Sequence, residues 1–390
     1  MAIWKIRFPA VLSVLLFLLL VTGVDASSLL PLAPSQYPYF SDDNQFKECK
    51  TSLDHSLRFL RALPVSTCYT LAGTSFPVQR LIDSIVYFQK LLLSAPTPQK
   101  LNQQIQRFFT VYRMDTLLGG KSRRALITGY YQPVFTGSRE RRFPFLYPLY
   151  AVPGSLVVKK SGSQKKIIGR MQDGRMLPFW TRREIESDNV LQGQELVWLK
   201  DPFDVFVLHI QGSGILQLTD GTVCGVHYAQ SNGRAYRSIG KYMVDSGRMN
   251  LADVNMDSIR LYLSSHPEER DFILHKNDAF VFFNWSKAGP TIGNLGQELT
   301  AGRSIAADQQ WYPPGALVFL NSRKPKVKNG KIIDWESLRR FASVQDTGTA
   351  LIGPNRVDIF WGTGAEAGLE AGRMKEDGKV YLLMLKEGIK

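Results

Sequence analysis

The sequence predicts a mainly β protein preceded by a helical segment, and three observations carry that reading. From about residue 122 onward, short runs rich in Val, Ile, Tyr and Phe alternate with Gly, Pro and Asp clusters, the spacing of a β-sandwich or barrel. Between residues 51 and 112 the apolar residues recur instead at helical spacing. The 390 residues are 44% hydrophobic and 11% aromatic, with no low-complexity tract, so a sizeable core can form.

In chain order, the first segment is an address. Lys5 and Arg7 precede an almost wholly apolar run from Phe8 to Val24, and Val24-Asp25-Ala26 offers small residues for a peptidase. Residues 1–26 thus read as a secretory signal peptide. The alternative is an uncleaved anchor, because the run is near the lower limit for spanning a bilayer. No Cys directly follows the run, so no lipidation site is expected there. Residues 27–50, with Pro31, Pro34 and Pro38, read as an extended lead-in. Leu81, Ile85, Phe88 and Leu92 mark one helix, and Leu101, Ile105, Phe108 and Phe109 another, separated by Pro96 and Pro98. Strands are expected at 125–131, 203–210, 279–284, 316–320 and 380–385. Short helices are expected at 234–245 and 251–263. The length fits two domains or one large one.

Lys and Arg outnumber Asp and Glu by 48 to 34, a net charge of +14. For an exported chain this favours anionic lipid surfaces and cell-wall polymers over nucleic acid. The runs Arg139, Arg141, Arg142 and Lys159, Lys160, Lys165, Lys166 read as loop surface. Cys49 and Cys68 could pair in an oxidising compartment, leaving Cys224 free. No Cys/His ligand set supports zinc.

Several motifs fail. Gly119-Gly-Lys-Ser122 lacks the leading Gly of a phosphate-binding loop, with Asp115 in its place. Gly212-Ser213-Gly214 lacks the spacing of a nucleophile elbow. The histidines at 55, 209, 227, 266 and 275 show no metal spacing, and His209 reads as a core residue of an apolar strand. Asp346-Thr347-Gly348 matches the tripeptide of aspartic peptidases, which need two such carboxylates. One copy means that a peptidase would have to dimerise.

Near the C-terminus, Val357, Ile359 and Trp361 alternate with Asp358 and Phe360. Asp358 therefore sits on a strand, on the opposite face from three apolar residues. Such a carboxylate is costly unless paired, hydrogen-bonded or neutral. It is either a hydrogen-bonded structural Asp or a functional one. Burial and a second carboxylate both raise a carboxyl pKa toward the range of a general acid. Asp346, expected on the neighbouring strand across the Gly353-Pro354-Asn355 turn, supplies such a partner. Asp308 is a third candidate.

Ten stretches then resemble one family in order. They are Thr128-Gly-Tyr-Tyr-Gln-Pro133, Arg182-Arg-Glu-Ile-Glu186, Asp201-Pro-Phe-Asp204, His209-Ile-Gln-Gly-Ser-Gly214, Ser238-Ile-Gly240, Phe282-Phe283, Leu299-Thr-Ala-Gly-Arg-Ser-Ile305, Pro313-Pro-Gly315, Asp346-Thr-Gly348 and Val357-Asp-Ile-Phe-Trp-Gly362. The chain resembles the membrane-bound lytic murein transglycosylase A family from about residue 120 to 386. The resemblance implies a double-psi β-barrel split in sequence by an inserted second β-barrel domain, with the active-site groove between them. Residues 27–133 and 276–390 would form the first unit and 134–275 the insert. The family's three aspartates map onto Asp308, Asp346 and Asp358, the last as acid and base. Its glycan groove maps onto Thr128, Tyr130, Tyr131, Gln211, Ser213 and Gly214. The implied reaction cleaves peptidoglycan glycan strands with closure of a 1,6-anhydro ring, without cofactor or metal; the alternatives are a dimeric aspartic peptidase around Asp346 and a cell-wall binding protein whose barrel has lost chemistry. Tyr130 and Tyr131 are the sugar-stacking candidates. The implied setting is the periplasm or outer membrane, with a monomer that associates with the membrane or with other cell-wall enzymes.

Overall fold

The computed structural model describes residues 26–94, 97–118, 121–122, 124–161, 165–348 and 350–389. The signal-like run before Ala26, and Gly119 and Gly120 of the Gly119–Ser122 motif, lie outside them. Among the described residues no helix is long and apolar enough to cross a membrane.

Six strands close into a barrel. In order around it they are Lys375–Leu385, Leu317–Lys328, Lys331–Asp346, Ser304–Ala307, Arg356–Thr363 and Ala125–Gln132, the last pairing back to the first. Two pairings are parallel: Ser304–Ala307 with Lys331–Asp346, and Arg356–Thr363 with Ala125–Gln132. Closure removes the free edges that an open sheet would expose. Phe109–Leu118 adds outside the ring beside Lys375–Leu385, and Ala26–Pro31 beside it in turn. Within this region Phe40, Phe88, Phe319 and Phe341 form one aromatic cluster, with Phe88 and Phe341 centroids 4.6 Å apart.

The N-terminal helices cover the barrel with the faces that their spacing predicts. Cys49–Arg61 buries Leu53, Leu57 and Leu60, and Val78–Ser94 buries Leu81, Ile85 and Phe88. Each fully buried apolar side chain contributes about 1.5–3 kcal/mol. Pro98–Phe108 starts at Thr97, whose hydroxyl accepts the Lys100 N–H. The expected helical stretch is interrupted, however. Cys68–Leu71 and Thr74–Pro77 form a hairpin around Ala72-Gly73, both in left-handed backbone. Phe109 turns the chain into a strand rather than ending a helix. All three cysteines are free, Cys49 buried and Cys68 exposed.

A second sheet of six strands runs Val281–Lys287, Val223–Ser231, Ser213–Leu218, Val134–Ser138, Glu195–Leu199, Tyr147–Tyr150. Its end strands approach each other without being hydrogen-bonded partners. Val281–Lys287 pairs with Val223–Ser231, so this strand joins the second sheet rather than the barrel unit expected beyond residue 275. Lys159, Lys160, Lys165 and Lys166 do not lie in loop: Leu156–Ser161 and Lys165–Gln172 pair as strands.

The expected strand at 203–210 is a helix, Pro202–Gln211. A short apolar run reads alike in a buried strand and a buried helix. The deciding signals flank it. Asp201 caps the Phe203 N–H at 2.8 Å, Pro202 occupies the first turn, and Gly212 stops the helix at φ 76°. His209 thus lies on a buried helix, and its Nδ1 meets Arg182 Nη2 at 2.9 Å. The expected helices at 234–245 and 251–263 are present as Ile239–Asp245 and Met256–Ser265.

Candidate functional site

The pairing of four barrel strands lines up one row of residues. Asp358 is level with Thr128 on one side and with Ala306 on the other, and Ala306 is level with Asp346. The row therefore reads Thr128, Asp358, Ala306, Asp346. The two aspartates were expected on adjacent strands. Ser304–Ala307 lies between them, so their backbones stand two strand spacings, about 10 Å, apart. Its short apolar sequence gave little sign of a strand that separates its two longer neighbours.

Each carboxylate has its own donors. The Thr128 hydroxyl donates to Asp358 Oδ1, and Arg356 Nε stands 3.6 Å from the same oxygen. The Asp358 side chain is 19% exposed, while its neighbours Val357 and Ile359 are fully buried. Burial lifts the Asp358 carboxyl above the ordinary range, against the Arg356 charge and the Thr128 bond. The Tyr130 hydroxyl donates to Asp346 Oδ2 at 3.0 Å, and the Asn294 N–H to Oδ1 at 3.0 Å. Burial also lifts Asp346. The Thr347 and Asn294 N–H groups and Tyr130 oppose the rise, and the Asp358 charge adds to it. Burial thus moves both carboxyls in the direction that a general acid requires.

Asp308 follows the middle strand but spends its oxygens on backbone. Oδ2 accepts the Gly353 N–H at 2.7 Å and Oδ1 the Gln310 N–H at 3.0 Å. It fastens the loop that joins the Asp346 strand to the Asp358 strand. The Tyr312 hydroxyl holds the same loop at Pro354 O, 2.7 Å away.

The other expected groove residues lie along the seam between the two sheets. Gln211 ends its helix, and its Oε1 accepts the Tyr131 N–H at 3.1 Å. Ser213 and Gly214 open the next strand, with Gly214 buried. The Tyr131 ring packs on Gly368 of the helix Ala365–Arg373, where a Cβ would meet the ring at 2.8 Å. Gly129, between Thr128 and Tyr130, has no room for a side chain: a Cβ would stand 2.7 Å from both Ala371 and Trp361. That close approach seats the helix against the strand that carries Thr128 and Tyr130. Tyr130, expected to stack on sugar, faces Phe360 at 5.3 Å and uses its hydroxyl on Asp346.

Arg356 and Asn294 were not singled out from the sequence. Arg356 carried a readable signal, since it lies two residues before Asp358 on one strand and hence on the same face. Asn294 acts through its backbone N–H, which no residue type announces.

A family model described as the MltA specific insert domain matches residues 126–284, and one described as the 3D domain matches residues 303–384. The chain is 33% identical over 264 residues to membrane-bound lytic murein transglycosylase A of Escherichia coli K12, covering 67% of this chain and 66% of that one. It is 30% identical over 270 residues to the Vibrio cholerae protein of the same name, covering 68% and 67%. The chain belongs to the membrane-bound lytic murein transglycosylase A family. It spans about two thirds of the length of these relatives. The crystal structure of a membrane-bound lytic murein transglycosylase from Agrobacterium tumefaciens superposes with a TM-score of 0.73 at 26% identity, covering 92% of this chain and 98% of that one. Escherichia coli MltA with bound chitohexaose superposes with a TM-score of 0.67 at 26% identity, covering 91% and 93%. The 3D match contains Asp308, Asp346 and Asp358, whereas the insert match contains Thr128, Tyr130, Tyr131, Gln211, Ser213 and Gly214. Asn294 falls between the two.

Proposed function

We propose that this chain is an exported, monomeric lytic transglycosylase. It cleaves the β-1,4 bond between N-acetylmuramic acid and N-acetylglucosamine in peptidoglycan, with Asp358 as the single acid and base. The carrying observation is the Asp358 carboxyl, one-fifth exposed, raised by burial and held by Thr128 beside Arg356. Family membership and the likeness to a relative that binds chitohexaose support a glycan substrate.

Protonated Asp358 gives its proton to the glycosidic oxygen as the bond to C1 breaks. The C6 hydroxyl of the same muramic acid ring then attacks C1, and the Asp358 carboxylate takes the hydroxyl proton. The carboxyl is restored and no water is consumed, so a second catalytic carboxylate is unnecessary, unlike in hydrolytic glycosidases. Asp346, held by three donors two strands from Asp358, helps orient the site, and because the two carboxylates repel each other the pair resists ionising together. Arg356 supports the carboxylate that forms after proton transfer. Asp308 positions the loop between them. Thr128, Tyr131, Gln211, Ser213 and Gly214 line the sugar path.

Mass analysis of digested murein tests the reading. Products one water lighter than hydrolysed muropeptides are expected, and Asp358→Asn is expected to abolish them. Anhydro products from Asp358→Asn would overturn the assignment. Loss on Asp346→Asn exceeding that on Asp358→Asn would point instead to a dimeric peptidase around Asp346.

A further inference from the structure

A cavity of about 540 Å³ has walls that include Arg183, Arg234, Arg237, Lys276 and Phe272. The cations come from three places: the helix Arg182–Ser187, the loop between Ser231 and Ile239, and the turn after the helix Pro267–Leu274. Both acids in the wall are engaged. Glu184 Oε2 accepts the Thr181 N–H at 2.7 Å to cap its helix, and Asp278 pairs with Arg237 at 3.2 Å. Arg234 spends its Nε on Phe179 O. Arg183 has no hydrogen-bond or ion-pair partner among the described residues, and the Lys276 ammonium stands 3.7 Å from the Phe272 ring centroid. The wall thus has more cations than its acids neutralise, beside an aromatic face that is 50% exposed.

One loop of the cavity wall reaches toward the aspartate site. Tyr236, on the loop between Arg234 and Arg237, lies within the fields of both Arg356 and Arg182. Arg356 in turn touches Asp358.

We infer that this cavity binds the carboxylates of an acidic peptide, the stem that a glycan strand carries on its lactyl group. The inference rests on the glycan-cleaving reading and adds a peptide site to it. Cations drawn from three elements suit a ligand with several separated carboxylates better than one compact anion. The Phe272 ring offers packing area for the methylene parts of such a stem. Binding there would hold a peptide-bearing strand with its glycosidic bond at Asp358. Guanidinium groups recognise carboxylates through paired N–H donors, so Arg183 is the stronger anchor and Lys276 a point charge.

The test uses the full chain and its Arg183→Ala/Lys276→Ala variant. Calorimetric titration with an alanyl-glutamyl-diaminopimelate tripeptide is expected to show binding that the variant weakens about ten-fold or more. Inorganic phosphate and the fully amidated tripeptide serve as comparison ligands and are expected to bind far more weakly. On peptide-bearing glycan the variant is expected to raise KM about ten-fold with kcat unchanged. On peptide-stripped glycan it is expected to match the parent, which also reports correct folding. No tripeptide binding, equal binding by the variant, or equal losses on both glycans would overturn the inference. So would phosphate binding as tightly as the tripeptide. A parent chain that yields no anhydro product from either glycan would instead sink the catalytic reading, since the titration does not depend on turnover.

Discussion

Asp42 and Asp358 are both withdrawn from water, and their carboxyls move in opposite directions. Asp42 has a fully buried side chain, and so does its partner Arg303. Two parallel bonds join them, 2.6 Å and 2.8 Å long, and the Asn44, Phe46 and Phe341 N–H groups add to Asp42. Burial raises Asp42, yet the Arg303 bonds and charge outweigh it, so the carboxyl ends below its usual value. Asp358 has one hydroxyl and an arginine at the looser distance of 3.6 Å, and burial wins. A carboxylate paired on both oxygens is locked as an ion that ties residues 42–47 to the barrel. One left short of donors keeps a proton within reach. Partner geometry, more than depth, separates the two roles.

Five experiments probe that contrast. Asp358→Asn removes the titrating proton and is expected to cut turnover by roughly 10²–10⁴-fold, measured as anhydro-product formation. Arg303→Met leaves Asp42 buried and unpaired, and a loss of about 3–5 kcal/mol is expected in urea unfolding. Tyr130→Phe removes one donor from Asp346, with turnover expected to fall roughly ten-fold, as for a lost bond to a charged group. Arg356→Gln removes the charge that holds the Asp358 pKa down. That pKa is expected to rise, so the decline of kcat with increasing pH should move to higher pH. An unchanged limb would show that another group sets it.

The smallest effect concerns stability. The folded pKa of Asp358 is raised, so the stability it contributes is complete below the unfolded pKa and is lost as pH rises through the folded value. Asp358→Asn is therefore expected to raise Tm at neutral pH and to lose that gain in acid. Asp42 has a lowered folded pKa. Its contribution is present above the unfolded pKa and is lost as pH falls through the folded value, so Asp42→Asn should destabilise most near neutrality. If both variants shift Tm in the same direction at neutral pH, the contrast fails.

Local rules made much of this legible. The apolar alternation around Asp358 placed it on a strand opposite buried neighbours, because side chains along a strand have period two. The helices at 81–92 and 101–108 followed from their apolar spacing. The helix Pro202–Gln211 was misread because it is buried nearly all round, which erases the stripe that marks a surface helix. Its Asp-Pro start and Gly212 stop were present and outvoted by the Val and Phe content. Long-range pairing was not legible. Nothing near Asp346 or Asp358 says that Ala306 stands between them, since strand order is decided by how the whole barrel closes. The use of Tyr130 on Asp346 was likewise hidden, as it joins residues 216 positions apart.

The parallel pairing of Ala125–Gln132 with Arg356–Thr363 brings together Thr128 and Asp358, 230 positions apart. A nascent chain is made N-terminus first, at about 5–20 residues per second. Roughly ten to fifty seconds therefore separate the synthesis of Thr128 from that of Asp358. During that interval the Thr128 strand has no Asp358 strand to pair with. Every truncated product that ends before residue 356 lacks Asp358 and its strand. The order of residues along the chain thus leaves the Thr128, Asp358, Ala306, Asp346 row incomplete until the last of its four strands has been made.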